Sequence, residues 1–331
     1  MIITRTPFRM SFFGGGTDIK SFYDEHGGAV LSTTFDKYCY VNVRHLPRFF
    51  DYRTLLTYSK NEQVNSTDDV EHPLIRNAMK YLDIRDIRLF YDADLPARTG
   101  LGTSSSFAVG LLNAFYSLKG KRADHRKLAD DAIYVERVLC NEAGGIQDQI
   151  AAAYGGFNRI DMDGKGYVVN PVIMSNERKK ELNDNLMLFF TGFTRFSADI
   201  QKNTKKVIKD KTQQLLEMKK LVDTAEDILT SKQPISEFGQ LLDYTWQLKR
   251  GLASGISTGV IDDIYAYAKK AGALGGKLLG AGGGGFLLFY VDKDRQKHFK
   301  QSMEKLLYVP FNFEDQGSRV VYYKAEDYEL E

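Results

Sequence analysis

The sequence is poor in the residues and patterns that mark several large classes of protein. It has two cysteines, Cys39 and Cys140, in 331 residues, which excludes a disulfide framework and favours a reduced, cytoplasmic setting. Its five histidines are scattered, and none stands at zinc-ligand spacing from a cysteine. No apolar run approaches the roughly 18 residues of a membrane span. The first ten residues, MIITRTPFRM, lack the layout of a signal peptide. We therefore expect no membrane association.

An excess of charge of one sign is also missing. The formal net charge is +2, so no strong field attracts nucleic acid, and we expect no nucleic-acid partner. Basic residues accumulate in Lys202–Lys220, where they alternate with apolar residues at helical spacing, which indicates a solvated helix face. With 43% hydrophobic and 27% charged residues, the chain has the balance of a globular protein with a sizeable core.

The pattern along the chain predicts a protein of mixed helices and strands. Strand-like segments carry β-branched and aromatic residues, and helical segments carry apolar residues at helical spacing. The predicted strands are TRTPFRMSFF, YCYVNVRHL, Ile87–Tyr91, Leu186–Thr191, FLLFYV and RVVYY. The predicted helices are Phe107–Leu118, Arg126–Cys140, Ile146–Tyr154, a charged region over Ala198–Leu229 and two segments flanking Gly251. A shift to a helix-rich second half predicts two domains, 1–180 and 181–331.

A loop rich in glycine and hydroxyl residues precedes the first long helix. The stretch LPARTGLGTSSSF runs from Leu95 to Phe107 and places two glycines and a run of four hydroxyl residues, Thr103–Ser106, directly before a predicted helix. The unpaired N–H groups and positive dipole end of a helix start form an anion site, and glycines let a phosphate approach the backbone. The alternative is a helix cap, for which one hydroxyl is enough. The spacing does not match a Walker loop.

Two further glycine-rich stretches lie early and late in the chain. Gly280–Gly285 matches G-x-G-x-x-G formally, but a helical segment precedes it and a strand follows, which reverses the dinucleotide-binding order. A tight turn is the simple alternative, although four consecutive glycines favour close contact with a ligand or another loop. Phe13–Asp18 reads FGGGTD, follows a strand, and by itself is typical of a flexible hairpin end.

Taken in this order, the three stretches resemble the superfamily of galactokinase, homoserine kinase, mevalonate kinase and phosphomevalonate kinase, the GHMP kinases. The resemblance spans nearly the whole chain. It rests on Pro7-x-Arg9-x4-Gly14-x2-Thr17-Asp18, Pro96-x3-Gly100-Leu101-Gly102-Thr103-Ser104-Ser105 and Lys277-x2-Gly280-Ala281-Gly282-x-Gly284-Gly285. It implies a two-domain α+β fold, with an N-terminal α+β domain and a C-terminal ferredoxin-like α+β domain, and ATP and substrate between them.

Within this superfamily, FRMSFFGGGTD is similar to the substrate motif of D-glycero-D-manno-heptose 7-phosphate kinases. That similarity implies phosphorylation of the anomeric hydroxyl by ATP, in the synthesis of nucleotide-activated heptose for surface polysaccharide. Gly15-Gly16 stands where galactokinases usually carry Glu-His, which argues against galactose. A kinase of a free sugar such as L-fucose stays open. A non-catalytic sugar and ATP sensor also stays open, although the complete phosphate loop argues against it. Arg98 departs from the phosphate-loop pattern and has no assigned role.

The resemblance also implies roles for single residues. Asp148 is expected beside the reacting hydroxyl, with a helix cap as its alternative, and Arg9 beside Asp148 and the transferred phosphate. Mg²⁺ is expected on Ser104 and Glu136, although Glu136 alone would suggest an ordinary surface carboxylate. ATP is expected on Gly100, Leu101, Gly102, Thr103, Ser104, Ser105 and Ser106 and near the C-terminal glycines Gly280, Gly282, Gly283 and Gly284. The sugar is expected on Gly14, Gly15, Gly16, Thr17 and Asp18.

An acceptor that already carries a phosphate needs a second anion site. Arginine suits this task because its planar guanidinium binds phosphate oxygens in pairs. The candidates are Arg44, Arg48, Arg195 and Arg250, and each by itself is typical of a surface residue. The sequence does not choose among them, and it does not predict an oligomeric state.

Overall fold

The chain folds around two β-sheets in the computed structural model, which describes residues 1–192 and 211–325. Within these residues the first sheet has nine strands and the second has four. Numbered in chain order, the strands of the first sheet are β1 (Ile2–Phe13), β2 (Gly28–His45), β3 (Thr54–Thr57), β4 (Asn61–Val64), β5 (Ile87–Ala93), β6 (Phe157–Asp163), β7 (Gly166–Pro171), β12 (Phe313–Glu314) and β13 (Arg319–Tyr323). Those of the second sheet are β8 (Leu186–Phe190), β9 (Gly275–Leu278), β10 (Phe286–Tyr290) and β11 (Leu307–Val309), in the order β11-β8-β10-β9.

Helices cover both sheets, so the α+β class expected from the sequence is confirmed. Numbered in chain order, they are α1 (Lys20–His26), α2 (Pro73–Leu82), α3 (Thr103–Leu118), α4 (His125–Ile133), α5 (Gln147–Tyr154), α6 (Asn176–Asn185), α7 (Thr212–Thr230), α8 (Ser236–Arg250), α9 (Gly259–Ala271) and α10 (Gln296–Ser302). A 3₁₀ turn spans Thr67–Asp69, and a π-helical segment, Tyr134–Leu139, continues α4. Across the two described ranges, no helix combines the length and the apolar character needed to cross a bilayer.

The long antiparallel pair β1 and β2 carries the first part of the site. Both faces of β1 are buried from Thr6 to Phe13, because helices pack against the strand and its apolar side chains share a core with Leu188 and Leu288 of the second sheet. Arg9 lies in this buried run, opposite Thr34 of β2. A buried charge is costly unless a partner compensates it. The position of Arg9 therefore requires an anionic partner in the interior.

The helix α3 gives the loop before it a rigid anchor. Apolar residues occupy all its faces, and Phe107, Leu111, Leu112 and Phe115 are buried in the first core. Burying such a side chain contributes about 1.5–3 kcal/mol. The prediction of a buried helix after the hydroxyl run is confirmed, and the helix begins four residues earlier than Phe107, at Thr103.

An aromatic cluster joins the first sheet to the second half of the chain. Phe238 of α8 meets Phe12 and Phe13 of β1 edge to face, with ring centroids 5.3 and 5.1 Å apart. Such pairs contribute about 0.5–1.5 kcal/mol beyond their buried area. The end of β1 is thus fixed against the C-terminal half. The early glycine stretch, Phe13–Asp18, begins at this end of the strand.

One detail differs from the sequence-based expectations, and two others concern expectations that stay open in whole or in part. The stretch Gly280–Gly285 follows the short strand β9 rather than a helix, so it connects a β-hairpin; two glycines in GGKL hid that strand. Strands β12 and β13 pair with β2 and β1, although they follow the proposed boundary near residue 180, which stays a prediction. Of the charged region Ala198–Leu229, the helix α7 accounts for the part from Thr212, and residues 198–210, with half of Lys202–Lys220, lie outside the described residues.

Candidate active site

The middle and late glycine stretches touch each other. A Cβ placed on Gly280 would lie 2.2 Å from the Cα of Gly100, and one on Gly285 would lie 2.1 Å from the carbonyl oxygen of Thr99. Both glycines also have positive φ, +75° and +110°. Any side chain at these positions would push the two loops apart. The expectation that the late cluster makes close contact with another loop is met by the loop of Gly100.

Arg9 and Asp148 form a bidentate ion pair against this loop. Arg9 Nε donates to Asp148 Oδ1 at 2.8 Å, and Nη2 donates to Oδ2 at 2.9 Å. The third guanidinium nitrogen, Nη1, donates to the carbonyl of Gly100 at 2.8 Å, and the Arg9 amide donates to Leu101. A Cβ on Gly102 would lie 3.4 Å from Asp148 Oδ2. The two residues predicted to act together therefore lie together, on the phosphate loop.

Asp148 does not cap its helix. It lies in the first turn of α5, whose N-cap position is Ile146 and has no side-chain cap bond. The amide of Gln147 in that turn donates instead to Asp18 Oδ2, at 3.4 Å. The alternative expectation, that Asp148 caps a helix, is therefore wrong.

The hydroxyl run also does not cap α3. The N-cap is Gly102, with φ of +72° and no side-chain cap bond. Thr103 Oγ1 accepts from the amide of Arg98, at 3.3 Å, and Ser106 Oγ donates to the carbonyl of Pro7, at 2.9 Å. The first-turn N–H groups of a helix have no acceptors within it, and the dipole is positive there. The loop thus has the features of an anion site, in which Ser106 serves the fold.

Ser104 and Glu136 meet at the start of α3. Ser104 Oγ donates to Glu136 Oε1 at 3.0 Å, and Gln149 Nε2 donates to Oε2 at 2.6 Å. Glu136 is 1% exposed and lies on the π-helical segment, so it is not a surface carboxylate. Hard oxygen donors of this kind suit Mg²⁺, which usually takes one or two carboxylates and completes its shell with water and phosphate. In the described part of the chain no group of three or more metal-ligating side chains occurs. The residues fit a magnesium ion held jointly with a phosphate ligand.

The early glycine stretch, Phe13–Asp18, which we call the acceptor stretch, forms a turn at the end of β1. Thr17 Oγ1 donates to the carbonyls of Gly14 and Ala29, so its hydroxyl serves the turn. Asp18 accepts from the Gly16 amide at 3.0 Å, and burial, then the charge of Asp148, raises its pKa. Asp18 is expected to bind the sugar, but in the structure both of its carboxyl oxygens already accept hydrogen bonds from backbone amides.

Two lysines of the C-terminal half had no role assigned from the sequence: Lys249 stands in no motif, and Lys277 stands in the late motif without an expected task. Lys249 Nζ on α8 donates to the carbonyl of Leu278 at 3.0 Å and also to that of Gly280. Burial, then the charge of Arg9, lowers the Lys249 pKa to about 7. Lys277 is fully buried, donates to Phe12 O at 2.6 Å, and has a pKa that burial lowers strongly. The partners of Lys249 lie 29 and 31 residues away, so no local pattern marks it.

The arginine candidates for an acceptor phosphate lie in different places. Arg44 is ten residues farther along β2 than Thr34, the partner of Arg9, which is about 30 Å at strand rise. Arg48 follows it and pairs with Asp86. The structure therefore places these two candidates well away from Arg9, and the choice among the four arginines stays a prediction. Arg250 adjoins Lys249 and pairs with Asp262 at 3.3 Å, and Arg195 lies outside the described residues.

The remaining predicted residues also have defined places. Ser105 is buried in the first turn of α3. Gly282 and Gly283 pack against Ile256, whose carbonyl accepts from the Gly283 amide at 3.0 Å, and Gly284 has φ of +154°. Arg98 is exposed and has φ of +63°, so it occupies a left-handed turn position.

Comparisons with known proteins agree with this geometry. The family model described as GHMP kinases N terminal domain matches residues 73–156, and the one described as GHMP kinases C terminal matches residues 224–309. A D-glycero-alpha-D-manno-heptose 7-phosphate kinase of Campylobacter jejuni is 30% identical over 320 residues, which cover 92% of this chain and 93% of that protein. An L-fucokinase/L-fucose-1-P guanylyltransferase of Bacteroides fragilis is 30% identical over 62% of this chain, which spans 22% of that protein.

Solved structures have the same fold. A D-glycero-D-manno-heptose 1-phosphate kinase from Bacteroides thetaiotaomicron superposes with a TM-score of 0.80 at 24% identity, covering 98% of this chain and 100% of that chain. A Lactococcus lactis galactokinase complexed with galactose superposes with a TM-score of 0.73 at 16% identity, covering 96% of this chain and 94% of that chain. The expected two-domain α+β fold is therefore confirmed.

Proposed function

The chain belongs to the GHMP kinases, and from this premise we propose that it transfers the terminal phosphoryl group of ATP to the anomeric hydroxyl of D-glycero-D-manno-heptose 7-phosphate. Membership of this family makes the chain an ATP-dependent phosphotransferase that acts on a sugar hydroxyl. The proposal adds the acceptor, the reacting hydroxyl and the residues. Its support is the 30% identity to the Campylobacter jejuni kinase over nearly the whole of both chains.

One observation carries the assignment of the reaction centre. The Arg9–Asp148 pair lies directly on the phosphate loop, with Arg9 bonded to Gly100 and Asp148 beside Gly102. Phosphoryl transfer depends on positioning and on neutralising charge more than on covalent chemistry. A cation and a carboxylate fixed together at a phosphate loop supply these two requirements at one point.

Each side chain has a defined task in this mechanism. Asp148 orients the anomeric hydroxyl and accepts its proton as the oxygen attacks the terminal phosphorus of ATP. Arg9 holds the carboxylate in place and stabilises the negative charge that develops on the transferred group. The first-turn amides of α3 bind the phosphates of ATP, since a helix start favours anions. The proton of the anomeric hydroxyl is transferred to Asp148, and ADP is the leaving group.

Ser104 and Glu136 are the residues that would hold Mg²⁺. The ion, when bound, would neutralise phosphate charge and reduce the repulsion between nucleotide and acceptor. Gln149 keeps Glu136 in place through its bond to Oε2, so the carboxylate has one defined orientation. This amide contributes to the site without touching a ligand.

A substrate panel tests the proposal. ADP release is measured with D-glycero-D-manno-heptose 7-phosphate, the 1-phosphate, the free heptose and L-fucose, with Asp148→Asn as the inactive control. We expect a much higher kcat/KM for the 7-phosphate than for the free heptose, since the free sugar lacks the charge-assisted phosphate contacts. Equal efficiency on both, or a preference for L-fucose or the 1-phosphate, would overturn the acceptor assignment. No ADP release with any sugar would overturn the kinase assignment.

A further inference from the structure

The three glycines of the acceptor stretch are not equivalent. Gly14 has φ of +76°, and a Cβ there would lie 1.8 Å from the carbonyl oxygen of Ala29. Gly16 has φ of +100° and faces Leu215 at 3.1 Å. Both glycines are therefore required by the turn itself. Gly15 has no left-handed φ, and the nearest atoms to its Cβ position lie 3.8 and 3.9 Å away. Space for a methyl group is open at Gly15 alone.

The two atoms that border this space belong to polar side chains. They are Ser11 Oγ, at 3.8 Å, and Gln147 Nε2, at 3.9 Å. Ser11 lies on β1, and Gln147 is the first residue of α5, directly before Asp148. Two elements that are distant in sequence thus bring polar side chains to the space above Gly15, Ser11 through Oγ and Gln147 through an amide whose nearer end is Nε2.

Both side chains leave a buried atom without a partner. Ser11 is 7% exposed and Gln147 is 8% exposed. Among the described residues, Ser11 Oγ and Gln147 Oε1 have no hydrogen-bond partner. Leaving a buried polar atom unsatisfied costs about 1–3 kcal/mol. Such a cost at the proposed acceptor site is typical of groups that a ligand satisfies.

The chemistry of these atoms specifies their ligand. Only the nitrogen of the Gln147 side-chain amide can donate toward the Asp18 carboxylate, so Oε1, which only accepts, is left over. The Ser11 hydroxyl can donate or accept. A phosphate oxygen accepts and does not donate, so it satisfies Ser11 and leaves Gln147 Oε1 unpaired. A hydroxyl group satisfies both.

We propose that Ser11 and Gln147 determine acceptor specificity by binding one ring hydroxyl of the sugar over Gly15. The hydroxyl accepts a hydrogen bond from Ser11 Oγ and donates one to Gln147 Oε1. This inference rests on the proposed function and extends it. Gln147 and Asp148 are adjacent, so the ring hydroxyl bound by Gln147 lies near the anomeric hydroxyl that reacts. The phosphate end of the acceptor lies away from Gly15.

A first test uses Gly15→Ala. The backbone at Gly15 accepts alanine without strain, and the added methyl meets the protein at ordinary contact distances. Folding should therefore be unaffected, while the methyl occupies the place of the sugar hydroxyl. We expect an unchanged melting temperature, an unchanged KM for ATP and a KM for the acceptor raised by about 5- to 150-fold. Gly259→Ala, in open space at the start of α9, is the matched control. An unchanged acceptor KM in Gly15→Ala would contradict the placement.

A second test separates recognition from structure. Ser11→Ala removes an unsatisfied buried hydroxyl, so the melting temperature should stay equal or rise. For the heptose 7-phosphate, kcat/KM should fall about 5- to 150-fold. The same comparison is made with analogues of the substrate that lack the hydroxyl at C2, C3 or C4. For one of these analogues the variant and the wild-type enzyme should be equally efficient, because that analogue lacks the hydroxyl that Ser11 binds.

The outcomes distinguish this inference from the proposed function. A wild-type enzyme that phosphorylates the heptose 7-phosphate, with a Ser11→Ala variant that is unchanged on every analogue, overturns the role of Ser11 alone. A uniform loss on all acceptors, with a lower melting temperature, assigns Ser11 to the fold and also overturns the inference. A wild-type enzyme inactive on every sugar phosphate overturns both proposals.

Discussion

At the scale of single residues, two neighbouring aspartates meet opposite environments. Both oxygens of Asp148 accept from the Arg9 guanidinium, so its negative charge is compensated. Asp18 accepts instead from the amides of Gly16 and Gln147, and burial, then the charge of Asp148, raises its pKa. Asp148 is therefore the carboxylate paired with Arg9 beside the loop of Gly100, and Asp18 holds the turn and the start of α5. This difference in partners supports the proposed role of Asp148 as the base.

Asp148→Asn tests that assignment. Asparagine keeps the size of the side chain and one acceptor oxygen but cannot take the proton. A general base contributes about 10²–10⁴-fold, so kcat should fall by about that factor. Steady-state kinetics with saturating substrates, together with thermal melting, make the measurement. A stable variant with nearly wild-type kcat would remove Asp148 from the chemistry.

Lys249 predicts a pH effect on stability. Its pKa falls from 10.5 to about 7 in the folded protein, within range of Arg9, Asp18 and Asp148. Below pH 7 the folded and unfolded chains both carry the charge, and the cost of burying it is fully present. Between about pH 7 and 10.5 the folded protein has released the proton and the unfolded chain has not, so the free energy of unfolding rises with pH.

The matched variant is Lys249→Met, which cannot titrate. Melting curves at pH 6, 7, 8 and 9 should show wild-type stability increasing relative to the variant above pH 7. Parallel curves for the two proteins across this range would show that burial of Lys249 does not shift its pKa.

The sequence identified residues whose signal is local. Ser104 and Asp148 stand in short motifs next to helix starts; in the structure Ser104 bonds to Glu136 at the start of α3, and Asp148 lies beside Gly102 of the preceding loop. Lys249 and Gln149 had no such signal, because their partners come from other elements. Thr17 shows the converse, since its hydroxyl serves the turn within a motif that predicted a sugar contact. Side-chain direction is set by tertiary packing, which no motif records.

At the scale of elements, the π-helical segment explains how Glu136 faces inward. The sequence predicted one continuous helix over Arg126–Cys140, but α4 ends at Ile133 and Tyr134–Leu139 is π-helical. A π-segment shifts side chains around the helix axis and is frequent at functional sites. Propensity cannot distinguish it from an α-helix, because both have the same apolar pattern over so short a length.

The contact of the two glycine loops gives a prediction at this scale. Gly280→Ala places a methyl 2.2 Å from Gly100 Cα at a φ of +75°. The left-handed backbone alone costs about 1–2 kcal/mol, and the overlap must move one loop. We expect a lower melting temperature and a higher KM for ATP, both measurable on the purified variant.

Gly259→Ala serves as its control. Gly259 begins α9, has no left-handed φ, and no atom of residues 1–192 and 211–325 outside its immediate surroundings lies within 4 Å of its Cβ position. Alanine there should leave the KM for ATP unchanged and raise stability by about 0.4–1 kcal/mol. If Gly280→Ala behaved like Gly259→Ala, the loops would not need their close approach.

At the scale of the whole molecule, the end of the chain returns to its beginning. β13 pairs with β1, and Ser318 before it accepts one hydrogen bond from the buried Asn113 and shares another with Thr6 at 2.8 Å. Fold prediction from local pattern places β13 as a strand but not in a particular sheet, because register is set by tertiary pairing. The first sheet therefore depends on residues from both ends of the chain.

This closure predicts that the two halves unfold together. Trp246 is the chain's single tryptophan and is buried in the core of the second half, so its fluorescence reports on that half. Ser318→Ala alters the first sheet and leaves Thr6 and Asn113 without their partner, which costs about 1–3 kcal/mol. If β13 and the Phe12, Phe13 and Phe238 cluster couple the halves, Trp246 fluorescence and far-UV circular dichroism should shift together in urea. Ser302→Ala, whose hydroxyl bonds to His298 within α10, should shift neither. A Trp246 transition that stays in place in Ser318→Ala while circular dichroism moves would mean that the halves fold independently.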